Sequence, residues 1–78
     1  MSDPSSGAGA GTPHVERYDD GTIKLDGAHL DGEMHGPWRF YRRDGSLMRS
    51  GSFDRGRQVG TWRTYDRSGR VVKSTDFG

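Results

Sequence analysis

His14, His29 and His35 are the side chains of this sequence best suited to move a proton near neutral pH, and cysteine is absent. No histidine has a second histidine at metal-ligand spacing, so a zinc-type site is not readable. His14 falls in or beside an N-terminal stretch of small residues, His29 replaces an aromatic residue of an internal repeat, and His35 lies among turn residues. Asp44, Asp54 and Asp66 head or occupy turns, where aspartate serves by bonding its own backbone. The run DGEMHG at 31–36 does not follow a calcium loop. No nucleophile, base and orienting group stand together, and so thin a core supplies no pocket for them. The expectation is a protein with no catalytic residues, no metal and no cofactor.

Recognition chemistry is better represented. The formal net charge is only +1, yet residues 1–35 carry two basic and seven acidic side chains while residues 36–78 carry ten basic and four acidic. Nine of those ten basic residues are arginine, whose planar fork fits carboxylate and phosphate and stacks on rings. Arg39, Tyr41, Arg42, Arg63, Tyr65 and Arg67 are the candidate partner-binding residues. They offer cation–π and hydrogen-bonding contacts to an acidic protein surface. A solvated sheet face with cross-strand Arg–aromatic and Arg–Asp pairs would use the same residues without a partner. Arginines among aromatics also suit a nucleic-acid groove, but the acidic first third disfavours it. A membrane surface is disfavoured too, since neither an amphipathic helix nor a lipidation motif is present. Opposite charge at the two ends leaves head-to-tail self-association open as a third use.

The elements that must position these residues follow from a repeat. At an offset of 24, Gly21, Gly27, Gly32 and Gly36 fall on Gly45, Gly51, Gly56 and Gly60, and Trp38, Arg39, Tyr41 and Arg43 on Trp62, Arg63, Tyr65 and Arg67. Gly69 and Phe77 continue the pattern from Gly45 and Phe53 into a partial third copy. Periodicity of this length marks a stacked-repeat architecture. Segments 22–30, 37–41, 46–53, 61–65 and 70–77 are short, rich in aromatic and branched residues, and bounded by Asp–Gly punctuation, which predicts strands joined as hairpins. No stretch after the N-terminal tail is free of glycine for long enough to favour a helix.

Leu, Ile, Val and Phe total only 11 of 78 residues, so the expected core is small: Ile23, Trp38, Phe40, Leu47, Phe53, Trp62 and Val71. Alternation along a strand sets Trp38 and Phe40 on one face and Arg39 and Tyr41 on the other. Gly27 and Gly51 lie mid-strand, where glycine is costly, and a repeat tryptophan lying over each would account for both. Residues 1–15, rich in Ser, Gly and Ala, are expected to form a disordered arm. Residues 16–78 are expected to form one domain, with repeats at about 21–44 and 45–68 and a partial one at 69–78. The fold class is all-β: a single elongated antiparallel meander of repeated hairpins.

The segment YRRDGSLMRSGSFDRGRQVGTWRTY at 41–65 resembles the MORN-type repeat, and more closely the bacterial YwqK-type antitoxin repeat family. The likeness covers about residues 18–77, with Arg17 where Tyr41 and Tyr65 fall and His29 where Phe53 and Phe77 fall. The resemblance implies an elongated sheet of hairpins that binds proteins, and in the YwqK-like group neutralisation of a protein toxin. Composition and motif together therefore predict a non-catalytic protein-interaction module whose partner is an acidic protein surface or a toxin. A homo-oligomeric scaffold and a binder of anionic ligands are the alternatives. The absence of cysteine, of a signal-type leader and of a long apolar run predicts a soluble cytoplasmic protein.

Overall fold

The structure, a computed structural model, describes residues 11–78. It is all-β, a single antiparallel sheet with seven strands: β1 (Thr12–Arg17), β2 (Ile23–Leu30), β3 (Glu33–Met34), β4 (Gly36–Tyr41), β5 (Leu47–Asp54), β6 (Arg57–Tyr65) and β7 (Val71–Asp76). The spatial order is β1-β2-β4-β5-β6-β7, with the short β3 paired to β2, so the chain meanders without a crossover. Its extents of 42 × 34 × 19 Å describe a thin slab.

The repeat is visible in the register. Three hairpins superimpose in pairing: His14 opposes Gly27, Trp38 opposes Gly51, and Trp62 opposes Thr75, each step being 24 residues. A register irregularity recurs at Glu16/Arg17, Phe40/Tyr41 and Thr64/Tyr65. The hairpin loops repeat as well. Gly21, Gly45 and Gly69 each donate to the carbonyl three residues back, and Tyr18, Arg42 and Asp66 each donate to the carbonyl four residues on. Between units, Asp31–Gly32 and Arg55–Gly56 both have positive φ at two successive residues, the requirement of a two-residue type I′ hairpin loop.

Two expectations are corrected here. The arm drawn to residue 15 is too long, because Thr12–Val15 belong to β1 and pair with β2; its residues 1–10 lie outside the described residues. Backbone pairing fixes this segment although none of its side chains is fully buried. The repeat accordingly begins earlier than Gly21, with Pro13 and His14 in the places of Pro37 and Trp38. The expected core is also too generous. Among the described residues only Trp38 and Trp62 are buried, while Val71 is half exposed on the outer strand β7. One layer of sheet has nothing packed on its outermost strand, so an apolar residue there stays wet.

Each indole is buried by a glycine. The Trp38 ring lies over Gly27 so closely that a Cβ there would stand 2.1 Å from it, and the Trp62 ring lies over Gly51 with 2.0 Å. The indole N–H groups donate to Ala28 O at 3.2 Å and Ser52 O at 3.1 Å, again in repeat positions. The missing side chain and the ring are thus one packing device, repeated.

Candidate interaction surface

Alternation divides the sheet into two unlike faces. On one, rings interlock edge to face in a line: His29 to Trp38 (5.5 Å between centroids), Trp38 to Phe53 (5.9 Å), Phe53 to Trp62 (5.0 Å) and Trp62 to Phe77 (6.4 Å). Phe40 lies between the two indoles, and the Arg49 guanidinium sits 4.9 Å above the Trp62 ring. At the β1 end, His14 and His29 take the positions of the indole and phenyl, 4.7 Å apart, and His14 Nε2 meets Glu16 Oε2 at 2.9 Å. That hydrogen bond holds the Glu16 carboxyl below its ordinary range. Arg49, Thr64 and Lys73 form a row across β5, β6 and β7 on this face.

On the opposite face, the cross-strand register aligns Asp26, Arg39, Ser50, Arg63 and Ser74 in a row across five strands. Arg39 and Arg63 are exposed. Tyr65 stands beside them, its hydroxyl 3.0 Å from Ser50 Oγ, and alternation places Tyr41 on the same side. A shallow concavity of about 410 Å³ next to Arg39 is lined by Pro13, Val15, Ala28 and Pro37, with Asp26 at its edge. This face therefore combines apolar surface with free guanidinium groups, the composition of a recognition surface.

Two of the six candidate residues do other work. Arg42 donates to Ser46 Oγ, Leu47 O and, at 2.6 Å, Tyr65 O, which ties the hairpin loop of one unit to the strand end of the next. Tyr18 occupies the same repeat position and donates to Tyr41 O at 2.7 Å. Arg67 pairs with Asp44 at 3.1 Å, as Arg43 pairs with Asp19 at 2.9 Å. These loop-end pairs are solvent-exposed and contribute little each. No family model, curated protein or solved structure matches the chain. Arg39, Tyr41, Arg63 and Tyr65 remain together on the face away from the indoles.

Asp44 and Asp66 are loop residues as expected, Asp20 holds the corresponding place in the first hairpin, and Asp54 is the last residue of β5, directly before the Arg55–Gly56 turn. Asp20 accepts from Thr22 N, Asp44 from Ser46 N and Oγ, and Asp66 from Ser68 Oγ and the backbone N–H groups of Ser68 and Arg70. These donors hold all three carboxyls below their ordinary range. Sequence reasoning missed Arg49 over Trp62, because the contact joins two strands whose register was not readable. It also missed Tyr18 and Arg42 as equivalent staples, although their separation of 24 residues was available.

Proposed function

We propose that this chain is a non-catalytic protein-interaction module of the MORN type, which reads an acidic partner surface with the face that carries Arg39 and Arg63. The observation that supports this most is the row Asp26–Arg39–Ser50–Arg63–Ser74 beside an apolar hollow, on a face the indoles leave free. Successive strands lie ~4.8 Å apart, so the backbone positions of Arg39 and Arg63, two strands apart, lie roughly 10 Å from each other on one face. Each guanidinium can grip a carboxylate bidentately, while Tyr41 and Tyr65 supply amphipathic contact area at small entropic cost. Val15, Pro13 and Pro37 add the dry patch that a purely ionic surface lacks.

The narrower reading, drawn from the resemblance to YwqK-type repeats, is neutralisation of a toxin protein. It is tested by co-expressing the chain with the product of each adjacent reading frame and measuring growth and co-purification. Rescue and capture by the native chain, both lost in the Arg39→Ala/Arg63→Ala variant at unchanged thermal stability, is the expected result. Capture that survives the double substitution would overturn the assignment of this face. Growth arrest by a neighbour that the chain neither binds nor relieves would overturn the antitoxin reading.

A further inference from the structure

The sheet ends in two strands that belong to the same lattice but are not joined. β1 is a tryptophan-type strand, equivalent to β4 and β6, and β7 is a glycine-type strand, equivalent to β2 and β5. Inside the chain, glycine-type strands receive tryptophan-type strands twice. β2 receives β4 with Leu25 opposite Phe40 and Asp26 opposite Arg39, and β5 receives β6 with Arg49 opposite Thr64 and Ser50 opposite Arg63. Among the described residues β7 receives nothing, and β1 is received by nothing.

We propose that β7 of one copy receives β1 of a second copy of this chain, in the register already used twice within it. Advancing that register by one repeat sets Lys73 opposite Glu16 of the second copy and Ser74 opposite Val15 of the second copy. Within its own chain Lys73 has no carboxylate partner among the described residues. The staple itself is not repeated at the junction, because Asp66, in the position of Tyr18 and Arg42, accepts from its own loop and has no donor to give the Arg17 carbonyl of the second copy. The same step also brings Arg67, which pairs with Asp44 of its own chain, to Asp19 of the second copy, the reverse of the Arg43–Asp19 pair. Opposite charges therefore meet at two places along one junction, Lys73 with Glu16 and Arg67 with Asp19, each a base from the basic part of the chain against an acid from the acidic part.

The aromatic seat is altered on both sides in a matching way. Thr75 stands at the position of Gly27 and Gly51, and a Cβ at those two positions would stand 2.1 and 2.0 Å from the covering indole. An indole therefore cannot sit on Thr75 as it does on the glycines. The incoming strand brings His14 instead, a smaller ring in the tryptophan position. Beside Thr75 a cleft of about 350 Å³ lined by Arg49, Trp62, Lys73 and Phe77 is open to receive it. Exposed apolar side chains support the same junction: Val71 and Val72 on β7, Phe77 after it, and Val15 on β1. Val15 also lines the hollow beside Arg39, so the two surfaces share a residue, and Arg39→Ala/Arg63→Ala, which leaves both sheet edges intact, separates capture of a different protein from self-association.

Such a contact is heterologous, so it propagates as an open series or closes as a ring. The test is sedimentation velocity of the full chain over a range of concentration, with Glu16→Lys, Lys73→Glu and the combined exchange. Each single reversal places like charges opposite each other and should weaken association about five-fold, while the double exchange restores it. Val15→Cys/Ser74→Cys, oxidised, should give a ladder of covalent oligomers, since β1 and β7 lie at opposite edges of one chain. A chain that stays monomeric up to the millimolar range overturns the proposal. So does a dimer that grows no further and leaves the Val15→Cys/Ser74→Cys pair unlinked, cross-linking of either single-cysteine variant to itself, or a double exchange no better than its parts. None of these outcomes touches the Arg39 and Arg63 face, whose own test is capture of a different protein.

Discussion

The two interior seats, Gly27 under Trp38 and Gly51 under Trp62, differ from the two outer positions of the same lattice, His14 and Thr75. The interior seats are identical in residue type, in ring placement and in the carbonyl that accepts the indole N–H. The outer positions share only the register, with His14 opposing Gly27 and Thr75 opposing Trp62. Backbone pairing is thus maintained where side-chain packing is relaxed. In a sheet one layer thick, a residue is constrained by the strand that covers it rather than by depth in a core, and substitutions should fall into two classes accordingly.

The largest effect is expected from Trp62→Ala. It removes one of the two buried side chains among the described residues, empties the seat on Gly51 and breaks the line of rings between Phe53 and Phe77. A loss of about 4 kcal/mol is expected, read as a lowered urea midpoint in circular dichroism. Gly51→Ala attacks the same seat from below. The added methyl meets the Trp62 ring, so the ring must leave its place at a cost of about 3 kcal/mol, with a red-shifted indole emission. Thr75→Gly, at the equivalent outer position, should cost less than about 1 kcal/mol. If Thr75→Gly and Gly51→Ala proved equally disruptive, the distinction between interior and outer seats would be lost.

The staples sharpen the comparison at a smaller scale. Arg42→Ala removes three hydrogen bonds, one of them to the Tyr65 carbonyl of the following unit, and should destabilise by about 2 kcal/mol. Tyr18→Phe removes the corresponding single bond to Tyr41 O and should cost about 1 kcal/mol. Arg39→Ala and Arg63→Ala, both exposed, should change stability by no more than about 0.5 kcal/mol. Thermal melts of the four variants would rank them. An Arg42 variant as stable as an Arg39 variant would return Arg42 to the set of free binding residues.

Much of this was legible because the same constraint acts more than once. Glycine and tryptophan recur as a pair, so their contact could be anticipated without any register: each mid-strand glycine needed an explanation and each tryptophan needed cover. The strands around Trp38 and Trp62 were readable for the same reason. β1 was not, since its pairing depends on backbone groups that leave no apolar signature, and its aromatic position holds histidine. Arg42 and Arg67 looked like recognition residues because an exposed-seeming arginine beside a tyrosine reads alike whether it meets a partner or a carbonyl of the next unit. Only the fold shows that Tyr65 O lies within reach of Arg42.

The loops should give the smallest effect, and one that treats all three units alike. Asp20, Asp44 and Asp66 are held below their ordinary range by hydrogen bonds from Thr22 N, from Ser46 N and Oγ, and from Ser68 Oγ together with Arg70 N. In the unfolded chain these donors are gone, so the unfolded state binds protons at a higher pH than the native state does. Stability from the three carboxylates is therefore fully present above about pH 4 and is lost as the pH falls through their lower native values. Asp20 and Asp44 are exposed and Asp66 is half-buried, so the slope should be shallow, and salt should flatten it further through the screened arginines Arg42, Arg43, Arg67 and Arg70. The check is the urea midpoint between about pH 5 and pH 2.5 for the native chain and for Asp20→Asn/Asp44→Asn/Asp66→Asn. The triple variant should begin lower and vary less with pH. If instead it kept the full acid slope, the loss would lie with Glu16, whose carboxyl is held low by His14, and the acid-sensitive element would be β1 rather than the repeated loops.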